Sequence, residues 1–221
     1  MRYIKLCLAR VMTVVVWGGL VFSALDQGWG HRSLAKTDDT RTFALAAQSI
    51  AEQRYTGNVS FILIEDGDRV AEFHLSRGEE IDKRTVFQVA SLGKWITAWG
   101  VMTLVEDGRI DLDAPVSTYL TRWRLPSSQF DTSGVTVRRL LSHTAGLTDG
   151  LGYDGFASSE DRQTLEASLT KAADASSGKD GKALLGREPG SAWQYSGASY
   201  TLLQLIIEEV SGTSFPEFMH S

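Results

Sequence analysis

The sequence predicts a mixed α/β (α+β) fold, and the order of its patterns carries that prediction: a helix, a β-hairpin, then a long helical region. In "DTRTFALAAQSIAEQR", residues 39–54, the residues Phe43, Ala46, Ile50 and Ala51 recur at helical spacing behind an Asp/Thr start suited to an N-cap. "GNVSFILIEDGDRVAEFHLSRG" reads as two strands around the turn Glu65-Asp66-Gly67-Asp68, a hairpin signal. "DLDAPVSTYLTRW" and "VTVRRLLSHTAGLTDG" read as short helices joined by loops. Residues 151–189 are polar and rich in Gly, Ser and Asp, with one helix expected near Arg162 to Ala173. "YTLLQLIIEEVSG", Tyr200 to Gly212, is a helix with a glycine stop, and "FPEFMHS" opens another. No internal repeat is visible.

The first residues differ from the body. "MRYIKLCLARVMTVVVWGGLVFSALDQG" has a basic start, an apolar run from Val11 to Leu25, and then polar residues. That is the layout of a secretory signal. The run is short for a span, which needs about 20 apolar residues. Ser23 and Ala24 offer small residues for cleavage, but bulky Phe22 precedes them, so an uncleaved membrane anchor is the alternative. A buried N-terminal helix would leave the basic flank without a packing purpose. Either export reading places the body outside the cytoplasm, whether periplasmic, secreted or anchored at a bacterial envelope.

Composition bounds the function. The chain is 43% hydrophobic and 22% charged with only 4 Pro, which is globular usage. Its net charge is -5, and setting aside the three positive residues Arg2, Lys5 and Arg10 leaves -8 on the rest. A mildly acidic body has no electrostatic footprint for nucleic acid. Cys7 is the single cysteine, so the body can form no disulfide and carries no thiol nucleophile. His31, His74, His143 and His220 are scattered without metal-ligand spacing, and neither metal nor organic cofactor is expected.

One stretch carries chemistry. In "FQVASLGKWITAWGVMTLVEDG", Ser91 and Lys94 open a helix whose later residues are apolar on almost every face. Ser-x-x-Lys alone decides nothing, because the chain also has Ser33/Lys36, Ser168/Lys171 and Ser176/Lys179, all in polar surroundings. A helix apolar all round is normally buried. Residues three apart share a face, so the Ser91 hydroxyl and the Lys94 amine can meet. A buried lysine must be paired or lose its proton, and can then activate a neighbouring hydroxyl. The helix N-terminus adds N–H donors where an oxyanion would form. On composition alone a second reading stands beside this one: Ser91 as a simple N-cap and Lys94 reaching out to solvent.

Three blocks in order, "FQVASLGKWITAWGVMTLVEDGRIDLDAPVSTYL", "VTVRRLLSHTAGL" and "PGSAWQYSGASYTLLQLIIEEVSGTSF", resemble the β-lactamase-related serine hydrolases: class C β-lactamases, DD-peptidases, D-aminopeptidases and related esterases. The resemblance runs from about Thr42 to the last residue. It implies a β-lactamase/transpeptidase-like fold, with Ser91 as acylated nucleophile, Lys94 as its activating neighbour and Tyr195 of "YSG" as the proton relay. A tyrosine serves as base only if a cation such as Lys94 stabilises its ionised form. His143 in "LLSHTAGL" matches a block too and is read as structural.

The sequence departs from the pattern at two places. Two positions after the tyrosine the family commonly has an asparagine that contacts the substrate's acyl-amide group. Here Gly197 stands there, a substrate-side position without a side chain, which favours esters or unusual amides over β-lactams and peptides. The family's third motif, Lys or His then a small residue and Gly on a later strand, has no counterpart in residues 196–221. The expectation is a truncated domain with its C-terminal strands missing: 1–25 signal peptide or membrane anchor, 26–38 linker, 39–221 partial hydrolase domain. Two functions are carried forward. One is an exported serine hydrolase that forms an acyl-enzyme at Ser91 and acts on an ester, D-amino-acid amide or β-lactam-like substrate, a small-molecule or cell-wall-type partner. The other is an envelope-bound relative that binds or is acylated by ligand without turnover.

Overall fold

The structure is a computed structural model and describes residues 2–26, 33–36, 38–149, 153–158 and 161–221, with residues 2–11 described by their main chain alone. It divides into two compact units, Met1–Phe87 and Gln88–Ser221. Most of the expected linker, residues 27–32 and 37, lies outside the described residues.

The first unit contains helix α1 (Arg2–Asp26), helix α2 (Thr40–Arg54) and a two-stranded antiparallel sheet of β1 (Val59–Glu65) and β2 (Asp68–Leu75). Asp39 caps α2 by accepting from the Thr42 N–H, as the Asp/Thr start predicts. The hairpin turns at Asp66 and Gly67, both with positive φ (51° and 88°). That is the backbone twist a two-residue hairpin loop needs, and glycine supplies it without a Cβ clash. Phe61 and Phe73 face each other across the ladder with their rings stacked at 4.8 Å. Among the described residues, no helix is long and apolar enough to cross a membrane.

The second unit is helical. It comprises α3 (Gly93–Glu106), α4 (Val137–Leu141), α5 (Leu165–Lys171), α6 (Gly197–Ser211) and α7 (Phe215–His220). Helix α6 is its hub and packs against each of the other four. The reason is sequence: Leu202, Leu203, Leu205, Ile206 and Ile207 surround the helix with apolar side chains, and all are fully buried. Val101 and Leu104 of α3, Val137 and Leu140 of α4 and Leu169 of α5 complete the same core. Gly212 ends α6 with φ 79°, the left-handed stop its position predicts. Arg122 ties the rim together, pairing with Glu166 near α5 and with Glu208 and Glu209 of α6.

Several sequence expectations are corrected. "DLDAPVSTYLTRW" holds only a single 3-10 turn at Val116–Thr118, because Pro115 and the aspartates bonding their own loop leave no room for a longer helix. Helix α5 is shorter than its predicted span, and α6 begins three residues earlier, at Gly197. The largest correction concerns α3. It is not buried all round: Thr97, Gly100, Val101 and Leu104 form one inward stripe, while Trp95 is 72% and Trp99 70% exposed. A helix of this unit buries only the stripe that meets α6, and α3 carries more apolar residues than that stripe uses.

This division sets an expectation for stability. Leu104→Ala removes a side chain with no solvent contact and should cost about 2–5 kcal/mol in urea unfolding. Trp99→Ala, although larger, should stay within about 0.5 kcal/mol because its ring is mostly in water. Equal losses would mean that the outer face of α3 is covered in solution.

Candidate active site

Ser91 lies in a 3-10 turn, Ala90–Leu92, that runs directly into α3. The turn is closed by the Leu92 N–H on the Val89 carbonyl. Ala90 has φ 45°, a left-handed conformation that costs a residue with a Cβ about 1–2 kcal/mol. Such strain persists only where the surroundings impose it, and it sits beside the serine. The Ser91 side chain does not cap α3, whose N-cap is Leu92 without a side-chain bond. The capping role that composition allowed is therefore not taken up. Ser91 is instead exposed, and the Lys94 Nζ donates to its Oγ at 3.3 Å. Lys94 is half-buried rather than enclosed, which follows from the open outer face of α3.

Tyr195 reaches the same oxygen. Its hydroxyl donates to Ser91 Oγ at 2.8 Å across 104 positions of sequence. The Lys94 Nζ stands 5.0 Å from the Tyr195 ring centroid and 5.7 Å from that of Tyr200. The three residues singled out from the sequence thus share one hydroxyl.

His143 holds Tyr195 in place. It follows the last turn of α4 with φ 58°, the left-handed position common after a helix end. Its carbonyl accepts the Gln194 N–H at 2.8 Å, and its Nδ1 accepts the Ser196 N–H at 3.2 Å. One residue therefore pins the main chain on both sides of Tyr195. Because Nδ1 accepts, the ring proton of the neutral form resides on Nε2. The ring also lies against Tyr195 and Tyr200, with centroids 4.6 and 5.2 Å away. Burial, and then repulsion from Lys94, lower the His143 pKa below its usual 6.5. The structural role read from the sequence is the one it has.

Two further residues were not singled out from the sequence. Asp149 is buried, at 2% exposure, and its Oδ2 accepts from the Ala198 N–H at 2.7 Å and from the Tyr153 hydroxyl at 2.8 Å. A carboxylate at the first turn of α6 suits the positive end of that helix. Ser196 caps the same helix by accepting the Ser199 N–H. Tyr153 then lies directly on Gly197: a Cβ built there would come within 2.5 Å of the Tyr153 ring carbon Cε2. The missing side chain at 197 and the presence of Tyr153 are thus one feature. No periodic pattern marks an aspartate whose main-chain partner, Ala198, lies almost fifty residues away.

The electrostatics favour Tyr195 as the titrating partner. Burial by itself would raise its pKa, but hydrogen bonds with Lys94 and Ser91, together with the Lys94 charge, outweigh it and lower the value below 10. Tyr153 goes the other way. Burial, then the nearby Asp149, push it far above the ordinary phenol value, so it keeps its proton. Two tyrosines near one serine are driven apart, one toward the anion and one away from it. Among the described residues, no group of three or more His, Cys, Asp or Glu is arranged to hold a metal ion.

Residues 43–221 match the β-lactamase family. Penicillin-binding protein 4* of Bacillus subtilis (strain 168) is 32% identical over 173 residues, covering 76% of this chain and 36% of that protein. Esterase EstB of Burkholderia gladioli is 32% identical over 183 residues, covering 78% of this chain and 45% of the esterase. This chain therefore spans less than half the length of either relative. Among solved structures, the octameric penicillin-binding protein homologue from Pyrococcus abyssi superposes with a TM-score of 0.60 at 29% identity, over 83% of this chain and 42% of that one. With the Ser91, Lys94 and Tyr195 blocks inside the matched region, the chain belongs to the β-lactamase family of serine hydrolases.

Proposed function

We propose that this chain is an exported serine hydrolase that forms an acyl-enzyme on Ser91 and acts on esters in preference to β-lactams or D-amino-acid amides. The observation that carries the reading is the convergence on Ser91 Oγ of the Tyr195 hydroxyl at 2.8 Å and the Lys94 amine at 3.3 Å, at an exposed position. Export rests on the basic start and apolar run of residues 1–25.

The chemistry follows from those contacts. Tyr195, ionised beside the Lys94 cation, accepts the Ser91 hydroxyl proton as Oγ attacks the substrate's carbonyl carbon. The carbonyl π bond opens to an oxyanion and re-forms as the leaving alkoxide departs, taking the proton that Tyr195 now carries. A water molecule then repeats the sequence on the Ser91 ester, with Tyr195 accepting its proton, and the carboxylic acid leaves. Lys94, through its hydrogen bond and charge, lowers the cost of the phenolate. The preference for esters rests on Gly197, which offers no amide to match a peptide-like acyl group. The name of the relative esterase EstB supports the same class.

A fluorophosphonate probe should label the wild-type protein on Ser91 and leave Ser91→Ala unlabelled; equal labelling of both ends the proposal. Intact-mass analysis after adding p-nitrophenyl acetate then separates turnover from mere acylation. An adduct of 42 Da that forms and clears is expected (~42 Da being the acetyl group less one hydrogen), whereas one that stays marks an acyl acceptor without turnover. Tyr195→Phe should lower acylation by about 100- to 10,000-fold, the usual worth of a positioned base.

The pH profile tests the electrostatics. The active form carries the Tyr195 anion, so the acylation rate should rise with pH and level off above the lowered Tyr195 pKa, below 10. In Lys94→Ala the cation is lost while burial remains, so the midpoint should move upward. An unmoved limb would assign the titration to another group.

A further inference from the structure

Beside Lys94 the second unit opens into a cleft of about 570 Å3, lined among others by Ala90, Lys94, Tyr153, Phe156, Gly197 and Tyr200. Its size suits a small organic group. Ala90 and Lys94 bracket Ser91 in the chain, so the cleft begins where the proposed nucleophile stands. We propose that this cleft is the acyl-binding pocket and that Tyr153, seated on Gly197, makes its wall selective for apolar acyl groups lacking an α-amide. The inference rests on the acyl-enzyme reading of Ser91 and adds to it the class of acyl group accepted.

The wall of the cleft formed by Tyr153 and Gly197 offers an amide no donor. Tyr153 is 38% exposed, yet its single hydroxyl proton is committed to Asp149 Oδ2 at 2.8 Å. It therefore shows a ligand an aromatic ring and an oxygen able only to accept. Burial and Asp149 hold that proton in place, so the wall does not change with pH in the working range. Gly197 adds no group, and none can be added while the ring is there, given the 2.5 Å approach to its Cε2. Three other polar residues of the lining are turned to the main chain, while Ser168 and Gln204 also line the cleft. Thr97 donates to the Gly93 carbonyl at 3.1 Å and Thr201 to that of Gly197 at 3.4 Å. Gln163 donates to the Lys171 carbonyl at 3.3 Å and accepts the Ala173 N–H at 2.7 Å. Lys94 and Arg162 bring two positive charges to the lining and Asp174 one negative charge. Phe156 and Tyr200 add aromatic surface. An acyl chain gains by leaving water against these rings, while the carbonyl of an α-acylamino group would find no donor on the Tyr153–Gly197 wall, which is the costlier outcome there.

The experiment compares two esters with the same leaving group, p-nitrophenyl butyrate and the p-nitrophenyl ester of N-acetylglycine. Acylation of Ser91 is followed by nitrophenol release, and each rate is divided by that ester's own hydroxide rate. The wild type should favour butyrate by about tenfold or more, the range one missing contact in a pocket can supply. Tyr153→Ala should bring the preference below about threefold, and Tyr153→Phe, which keeps the ring, should retain it. Both esters are read on one preparation, so a fraction of misfolded variant cancels from the ratio. A wild-type ratio near one, or a ratio unmoved by Tyr153→Ala, overturns the assignment of the wall. Failure of Ser91 to take a fluorophosphonate overturns the hydrolase reading itself, whereas labelling with a flat ratio overturns the pocket alone.

Discussion

The 2.8 Å hydrogen bond from Tyr195 to Ser91 is the constraint on which the site depends, because it joins two turns 104 residues apart. Neither turn is stiff by itself. Ser91 sits in a single 3-10 turn and Tyr195 in an extended approach to α6. Hydrogen-bond geometry tolerates only a few tenths of an ångström, so each turn must be fixed from outside. His143 fixes one side through its carbonyl and ring nitrogen, and Asp149 holds the start of α6 through the Ala198 N–H. Both anchors come from the segment that follows α4, and α4 packs on α6. The hydrophobic core between those helices thus determines where the Ser91 hydroxyl meets Tyr195, so the geometry of the candidate site is held by residues outside it.

The same supports set the charge balance. Lys94 lies near three aromatic groups, Tyr195, Tyr200 and His143, and its charge shifts two of them. It lowers Tyr195, where charge attraction and hydrogen bonding outweigh burial, and it lowers His143, where its positive charge adds to burial in disfavouring the cation. A neutral His143 is what the Ser196 N–H requires, since a protonated Nδ1 could not accept that bond. One ammonium therefore favours both the ionised tyrosine and the neutral histidine that holds it. An arginine would keep the charge, but its planar fork could not place a single donor on Ser91 Oγ from a helix position three residues away in the same manner.

What could be read from the sequence follows the range of the forces involved. The α2 cap, the hairpin turn and the glycine stop of α6 are set within a few residues, and the sequence named each of them. The Ser91, Lys94 and Tyr195 set came from block order rather than spacing, since Ser-x-x-Lys occurs four times in the chain. Asp149 and Tyr153 escaped because their partners, Ala198 and Gly197, lie 49 and 44 positions on, and a polar loop gives no period to betray such contacts. Burial of α3 was misjudged for another physical reason. Periodicity measures how much of a helix could be buried, while the number of helices that meet it decides how much is, and α3 meets α6 along one stripe.

Gly197 shows why a residue with no side chain can be as informative as one that has one. Read alone, it is a position where the family resemblance implies an amide and this chain has no side chain. Set against Tyr153 it becomes half of a pair, because the ring and a side chain at 197 would claim the same space. Each excludes the other sterically, so a change at either position is constrained by its partner. Asp149 makes the exclusion firm by holding the Tyr153 hydroxyl and the α6 N-terminus with one oxygen. Rotating the ring away would break the first bond and leave the carboxylate, already without a partner on Oδ1 among the described residues, further from satisfied. The apolar wall is thus backed by a polar anchor: Asp149 orients the Tyr153 ring, and the ring is the surface presented to the cleft.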